Sequence, residues 1–275
     1  MPPRAGGAIE KMYRFLCDAD LWASGMTILI ACTLLLVGSL LKGIIGLGLP
    51  MIAIPVLTLM LGLPKALAIV AIPVAAANAW QVWQFRRSRH AVTFILPFLA
   101  LGSVGIMIGT WLLASVRPEL LEAGLAMIVA LYLGQRLRYP DMTLPRKMGR
   151  KFAPVIGFGS GLLHGATGIS GPIGITFFHA MRLPRAEFIF CTGTMFLLFS
   201  MLQLPMLGYA GILTKDSILI GLAGLPAVAA GLSLGNVIAK HVNARFFDHL
   251  VLLILAFTAG TILWRVIPIL LVSAA

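Results

Sequence analysis

The chain has 275 residues, of which 60% are hydrophobic and 11% are charged, with a formal net charge of +12 and a mean hydropathy of +1.00. This composition excludes an ordinary water-soluble domain, in which about 25% of residues are charged. Apolar stretches of membrane-spanning length follow one another over residues 21–271. The basic residues form short clusters between these stretches, as in the loops of membrane proteins, so we predict a lipid bilayer and no nucleic acid as partner.

Residues 1–20 carry both acidic and basic side chains and lack the apolar run and cleavage site of a secretory signal, so we predict a retained N-terminal segment. The three cysteines, Cys17, Cys32 and Cys191, are scattered and are predicted to be packing residues. The sequence contains no metal-ligand spacing, phosphate-binding loop or nucleotide fingerprint, so we predict neither a metal nor a cofactor.

Two halves with the same order of elements follow, joined by a basic cytoplasmic linker at residues 140–151. Each half is predicted to be a glycine-broken helical hairpin followed by three transmembrane helices, which makes the fold all-α and polytopic. In the first membrane repeat, residues 21–139, the elements are predicted at 21–41, 49–61, 65–85, 92–114 and 119–137. In the second, residues 152–275, they are predicted at 152–163, 173–181, 185–207, 217–238 and 245–264.

The two glycine-rich breaks are copies of each other. The stretch KGIIGLGLP, residues 42–50, aligns with HGATGISGP, residues 164–172, and matches Gly43 with Gly165 and Gly46 with Gly168. Further matches follow downstream in the same order, beginning with LPKA and LPRA a little after each break. This many matches in one order indicates a duplicated half.

Basic residues are abundant in some loops and sparse in the equivalent loops of the other half. The stretches 86–89 and 136–151 are strongly basic, whereas the loop 208–216, which corresponds to the first of them, contains only Lys215. Since cytoplasmic loops collect Lys and Arg, equivalent loops are predicted to lie on opposite sides of the membrane. We therefore predict an inverted repeat with both termini outside.

Irregular backbone at membrane depth is tolerated only inside protein or beside a polar cavity, so two matching breaks indicate a shared substrate cavity. A helix that restarts after a break presents N–H groups and the positive end of its dipole, which favours a small anion. Lys42 and His164 would add charge, and the mid-span residue Asn78 would add a donor. The predicted substrate-binding residues are Lys42, Gly43, Gly46, Gly48, Asn78, His164, Gly165, Gly168, Ser170, Gly171, Thr192 and Thr194.

Other interpretations of these residues remain open. The glycines are also typical of close helix packing, Lys42 of a snorkelling side chain and His164 of a core histidine. An anion channel would share the architecture. The stretch GISG, residues 168–171, matches the motif of rhomboid-type intramembrane serine proteases, with Ser170 as nucleophile and, as base, His179, His241 or His249. Because Gly48 takes the place of Ser170 in the first copy, the repeat accounts for the motif without catalysis, and we predict no enzyme.

The repeated break, the short apolar segment after it, and the GLP or RLP that opens the next helix resemble the TauE/SafE family of sulfite exporters over nearly the whole chain. The family's glycine motif falls on Gly43, Gly46 and Gly48 and on Gly165, Gly168 and Gly171. Its Thr-Ser pair is matched loosely by Cys191, Thr192 and Thr194 in the second half, while Ala71 and Ile72 stand there in the first.

The resemblance implies a multi-pass transporter of the bacterial inner membrane that exports a small anion such as sulfite, sulfoacetate or another organosulfonate. It does not fix which anion moves, the coupling ion or the oligomeric state. Proton coupling is left open, with His164 as the titratable candidate.

Overall fold

The computed structural model describes residues 6–91, 93–116 and 143–239, together with single positions at 120, 134, 253 and 260. In this part of the chain the secondary structure is helical and no strand occurs, which confirms the predicted all-α class. The helices predicted at 119–137 and 245–264 lie outside the described residues, apart from those single positions.

The first group of helices precedes residue 117. It consists of α1 (Gly6–Ile45), α2 (Leu49–Leu61), α3 (Leu63–Gln84) and α4 (Ile95–Ser115), with a 3₁₀ turn, Arg86–Ala91, between α3 and α4. The second group begins with α5 (Arg146–Thr167) and a π-helical turn, Gly171–Ile175, that continues into α6 (Thr176–Ala180). It ends with α7 (Arg185–Tyr209), α8 (Lys215–Ala223) and α9 (Leu225–Ile238).

Five helical stretches in the described residues are long and apolar enough to cross a membrane: Gly25–Ile45, Leu63–Gln84, Ile95–Ser115, Arg185–Tyr209 and Lys215–Ile238. In contrast, α2 has 13 residues. At a rise of 1.5 Å per residue it extends about 20 Å, less than the hydrocarbon thickness of about 30 Å. The chain is therefore a multi-pass membrane protein that also contains a helix too short to span.

Large apolar side chains on the outer surface agree with this assignment. Leu96, Trp111 and Val155 are 71%, 62% and 67% exposed. In water such an extended apolar surface would be a liability, whereas hydrocarbon solvates it without cost. The outward faces of α4 and α5 are accordingly suited to lipid.

Three helix boundaries depart clearly from the predicted ranges, and two of them lie beside a proline. Helix α5 begins at Arg146, directly after Pro145 and inside the predicted linker, and α1 begins at Gly6, well before the predicted start at residue 21. The helix predicted at 217–238 is divided into α8 and α9 at Gly224. Pro226 has no N–H to donate to the preceding turn, which interrupts the hydrogen-bond ladder there.

The first helix of each half packs against a helix of the other half. Helix α1 lies against α9, and α5 lies against α4, while α3 and α7 pack against each other. Glycines let the backbones touch, since a Cβ added at Gly43 would lie 2.7 Å from the carbonyl oxygen of Leu232, and one added at Gly165 would lie 2.5 Å from that of Ile106. Such contacts are the usual means by which membrane helices associate closely.

Candidate substrate site

Both breaks begin with the same left-handed glycine. Gly46, after α1, has a φ of +88° and donates its N–H to the Lys42 carbonyl at 2.7 Å. Gly168, after α5, has a φ of +73° and donates to the His164 carbonyl at 2.6 Å. A residue with a side chain is strained at such angles, so these glycines allow the helices to end here.

Each break is covered by a branched apolar side chain from the other half. A Cβ added at Gly46 would lie 2.6 Å from Cγ1 of Ile189, in the first turns of α7. A Cβ added at Gly168 would collide with Leu67, in the first turns of α3, and with Ile54 of α2. The irregular backbone is therefore enclosed by protein, which is the condition for its presence in a membrane.

Lys42 is fully buried at the end of α1, with 0% of its surface exposed, so its ammonium does not snorkel to the membrane surface. Its Nζ donates to Oδ1 of Asn78 at 2.7 Å and lies 3.5 Å from the carbonyl oxygen of Gly46. It also lies 5.6 Å from the centroid of the Phe196 ring. Among the described residues no carboxylate pairs with it, so the buried charge is held by neutral oxygens and an aromatic face.

The last turn of α1 is held by a second bond from α3. Gln81 donates its Nε2 to the Lys42 carbonyl at 3.1 Å. The equivalent bond occurs at the second break, where Gln203 of α7 donates to the carbonyl oxygens of Gly165 at 3.1 Å and His164 at 3.4 Å. The glutamine and the break residue are separated by 39 residues in both cases. We call Gln81 and Gln203 the glutamine clamps.

His164 has different surroundings from Lys42. Its ring packs against Phe196 and Phe199, with centroid distances of 5.6 and 5.5 Å, and it is 2% exposed. Its Nδ1 has no hydrogen-bond partner among the described residues, and neither has the Oγ of Ser170, which is 0% exposed. Unpaired polar atoms inside a protein are costly, so these two identify places where a ligand would be stabilised.

A cavity of about 10 Å³ lies beside the second break. Its polar lining comes from the second half, with His164, Ser200 and Gln203, and its apolar lining comes from α2 and α3 of the first half. About one water molecule fits in such a volume. A sulfite-sized anion would enter this cavity only if the lining side chains moved.

Phe196 lies between the two break residues. Its ring is in contact distance of both the Lys42 ammonium and the His164 imidazole. Sequence reasoning missed this residue because an aromatic in an apolar span looks like ordinary core. Sequence reasoning also missed Ser200, which lines the cavity three residues before Gln203.

Arg185 is a further residue whose position the sequence did not indicate. Its Nη2 donates to the carbonyl oxygen of Ile44 at 3.0 Å and lies 3.5 Å from that of Gly43. It thereby caps the carbonyl end of α1, where helix bonds are lacking and the dipole is negative. The sequence analysis gave Arg185 no role of its own, because its LPRA stretch follows the second break along the chain and not the first, which it caps.

The remaining predicted site residues divide into packing and polar groups. Gly43 and Gly165 lie within helices and serve the helix contacts described above, whereas Gly48, with a φ of +131°, directly precedes α2 and Gly171 opens the π-helical turn beside Met51. The hydroxyls of Thr192 and Thr194 donate to carbonyl oxygens one turn earlier in α7, at 2.9 and 2.7 Å. In this conformation the two threonines bond to their own helix.

Within the described part of the chain, no nucleophile and base pair forms at Ser170. Its hydroxyl is unpartnered among the described residues, and His241 and His249 lie outside them. A serine nucleophile needs a base within hydrogen-bond reach. The described residues likewise contain no group of three or more side chains suited to holding a metal ion.

Membrane-length helices, two matching breaks and a buried cation with no carboxylate partner among the described residues are features of a helical membrane transporter. A family model described as sulfite exporter TauE/SafE matches residues 30–262, and the chain belongs to this family. Its members are transporters and not enzymes. No curated protein matches the chain, and no solved structure does.

Proposed function

We propose that the protein is a secondary transporter that exports a small anion across the bacterial inner membrane. Sulfite, sulfoacetate or another organosulfonate is the proposed substrate, bound between the two glycine-broken hairpins. The observation that carries the proposal is the Lys42 ammonium, which is fully buried and has neutral oxygens as its nearest partners. A buried charge is stabilised chiefly by an opposite charge, and an anion would supply it.

We further propose that the two halves are inverted repeats with the site at their interface. Three observations support this: the left-handed glycines, the glutamine clamps, and the crossed packing of α1 on α9 and α5 on α4. Inverted repeats of this kind alternate access by moving one bundle against another around a fixed site. Coupling to protons is proposed through His164, whose unpaired Nδ1 is available to a proton.

The test is uptake by proteoliposomes containing the full chain, against sulfite, sulfate, sulfoacetate, taurine and short carboxylates, with and without a pH gradient. Saturable uptake of one anion, lost in Lys42→Met and retained in the exposed-lysine control Lys65→Met, supports the proposal. Unsaturable, voltage-driven flux would favour the channel alternative. Equal uptake by the Lys42→Met variant would remove Lys42 from the site.

A further inference from the structure

The closest partner of the buried ammonium is a side chain whose orientation is fixed. Asn78 is 0% exposed, and its Nδ2 donates to the Val74 carbonyl one turn earlier in α3, at 2.7 Å. This bond directs the amide oxygen, Oδ1, toward Lys42, whose Nζ lies 2.7 Å away. The Asn78 amide thus presents an acceptor to the cation, while one of its donors is already used by the helix.

A comparison of the two halves separates this contact from the common framework. The glutamine clamps hold both breaks, so the clamp does not depend on whether the break residue is Lys42 or His164. Three residues before each clamp, the first half has Asn78 and the second half has Ser200, which lines the cavity. The amide acceptor Asn78 is therefore present in the half that has the lysine. In the other half, where the break residue is His164, a serine occupies the corresponding position.

An amide oxygen is a weak substitute for an anion. It makes a charge-assisted bond to an ammonium but carries only a partial charge, so the attraction between ions is missing. The carbonyl of Gly46, at 3.5 Å, is also neutral. A ligand with a full negative charge would bind the ammonium more strongly than either oxygen, whereas a neutral ligand would gain little by displacing them.

We infer that Asn78 is a stand-in for the substrate: its Oδ1 holds the Lys42 ammonium in the empty carrier and releases it when the anion binds. This inference rests on the proposed function, because it assumes that Lys42 binds the anion. The free energy of substrate binding is then the difference between two interactions of the Lys42 ammonium, one with the anion and one with Asn78. A ligand binds only if its interaction with the ammonium is stronger than that of Asn78. Asn78 is in this sense a specificity-determining residue, which rejects neutral molecules without touching them.

The decisive variant is Asn78→Asp, which changes one amide group for a carboxylate of nearly the same shape. Lys42 would then have a permanent ionic partner, and we expect the apparent affinity for the transported anion to fall by about tenfold or more. Thermal stability in detergent should change little, because the new ion pair with Lys42 offsets the bond to the Val74 carbonyl that the carboxylate cannot donate. Asn236→Asp is the matched control, since the Asn236 amide bonds to Gln84 at 3.4 Å and not to a cation; it should bind the anion as the unchanged protein does.

Asn78→Ser supplies an independent test, since it places at residue 78 the side chain found at the corresponding position of the other half. It removes the close acceptor without adding charge, so the anion should bind more tightly than it does to the unchanged protein. Binding of the anion found in the uptake experiment is measured directly by calorimetry on the purified full chain. Either variant alone is decisive if the other fails to fold.

Two results would overturn the inference. Anion binding by Asn78→Asp that equals that of the unchanged protein would mean that Lys42 need not be released. Equal losses in Asn78→Asp and Asn78→Ser would make Asn78 a direct ligand of the anion or a residue needed only for folding. Either result leaves the proposed function standing if Lys42→Met abolishes uptake, whereas uptake unchanged by Lys42→Met takes Lys42 out of the site and removes this inference.

Discussion

Lys42 and His164 occupy the same place in the two breaks, but they differ in what they contact. The ammonium has an amide partner on α3, while the imidazole lies between phenylalanines and leaves one nitrogen unpaired. The sequence predicted that both residues stand at the breaks. It did not predict this asymmetry, because the partners come from α3 and α7, more than thirty residues away along the chain.

Ser170 allows a test of the second break at the level of a single atom. Its buried hydroxyl has no partner among the described residues, so Ser170→Ala should leave thermal stability unchanged or raise it by about 1 kcal/mol. If the hydroxyl donates to the anion, the same variant should bind the substrate about tenfold more weakly, the value of one hydrogen bond to a charged group. Melting in detergent and anion binding are measured together. Lower stability with unchanged binding would give the hydroxyl a structural role.

Removal of either glutamine clamp should lower the stability of the protein to a similar extent. Gln81→Leu and Gln203→Leu each remove a bond from a long helix to the last turn before a break. Each should lower the free energy of unfolding by about 1–3 kcal/mol, because buried polar partners lose a donor. Gln84→Leu is the control, since Gln84 lies on the exposed side of α3. A large effect of one clamp with none of the other would contradict the proposed equivalence of the halves.

The helices were predicted best where the sequence itself interrupts them. Helix α2 spans Leu49–Leu61, as predicted, because Gly48 and Gly62 bound it and both have positive φ angles. The division between α8 and α9 was not predicted, because Pro226 lies within a continuous apolar stretch of membrane-spanning length. The predicted site combined two roles that the structure separates: Gly46 and Gly168 shape the breaks, while Gly43 and Gly165 serve packing between helices.

The contact between α4 and α5 provides a prediction about whole elements. Gly161 of α5 faces the backbone carbonyl of Gly102, so the Cβ of Gly161→Ala would enter occupied space and push two backbones apart. We expect the free energy of unfolding in detergent to fall by about 2 kcal/mol or more, because no side-chain rotation relieves a contact between a Cβ and backbone atoms. Gly25→Ala is the matched control, because nothing lies near Gly25 and alanine favours a helix by about 1 kcal/mol. Equal free energies of unfolding for the two variants would show that α4 and α5 are not in close contact.

At the scale of the whole molecule, topology distinguishes inverted from parallel halves. The turn after α3 carries Arg86 stacked on Trp83 at 4.9 Å, as expected at a cytoplasmic interface. Tyr209, at the equivalent end of α7, is 98% exposed and stands in a loop with few basic residues. In a background without cysteines, Ser88→Cys should be labelled by a membrane-impermeant maleimide only from the cytoplasm and Tyr209→Cys only from outside. Labelling of both from one side would rule out inversion.

The crossed packing has a consequence for the origin of the fold. In a single half by itself, the glycine face of its first helix would have no partner, because α1 finds its partner in α9 and α5 finds its partner in α4. If the halves are inverted as we propose, an ancestor of half the length could cover these faces only by pairing with a second copy inserted in the opposite orientation. The present chain would then descend from a dual-topology homodimer whose two subunits became joined by gene fusion. The different charge of equivalent loops would have arisen when each copy acquired a single orientation in the membrane.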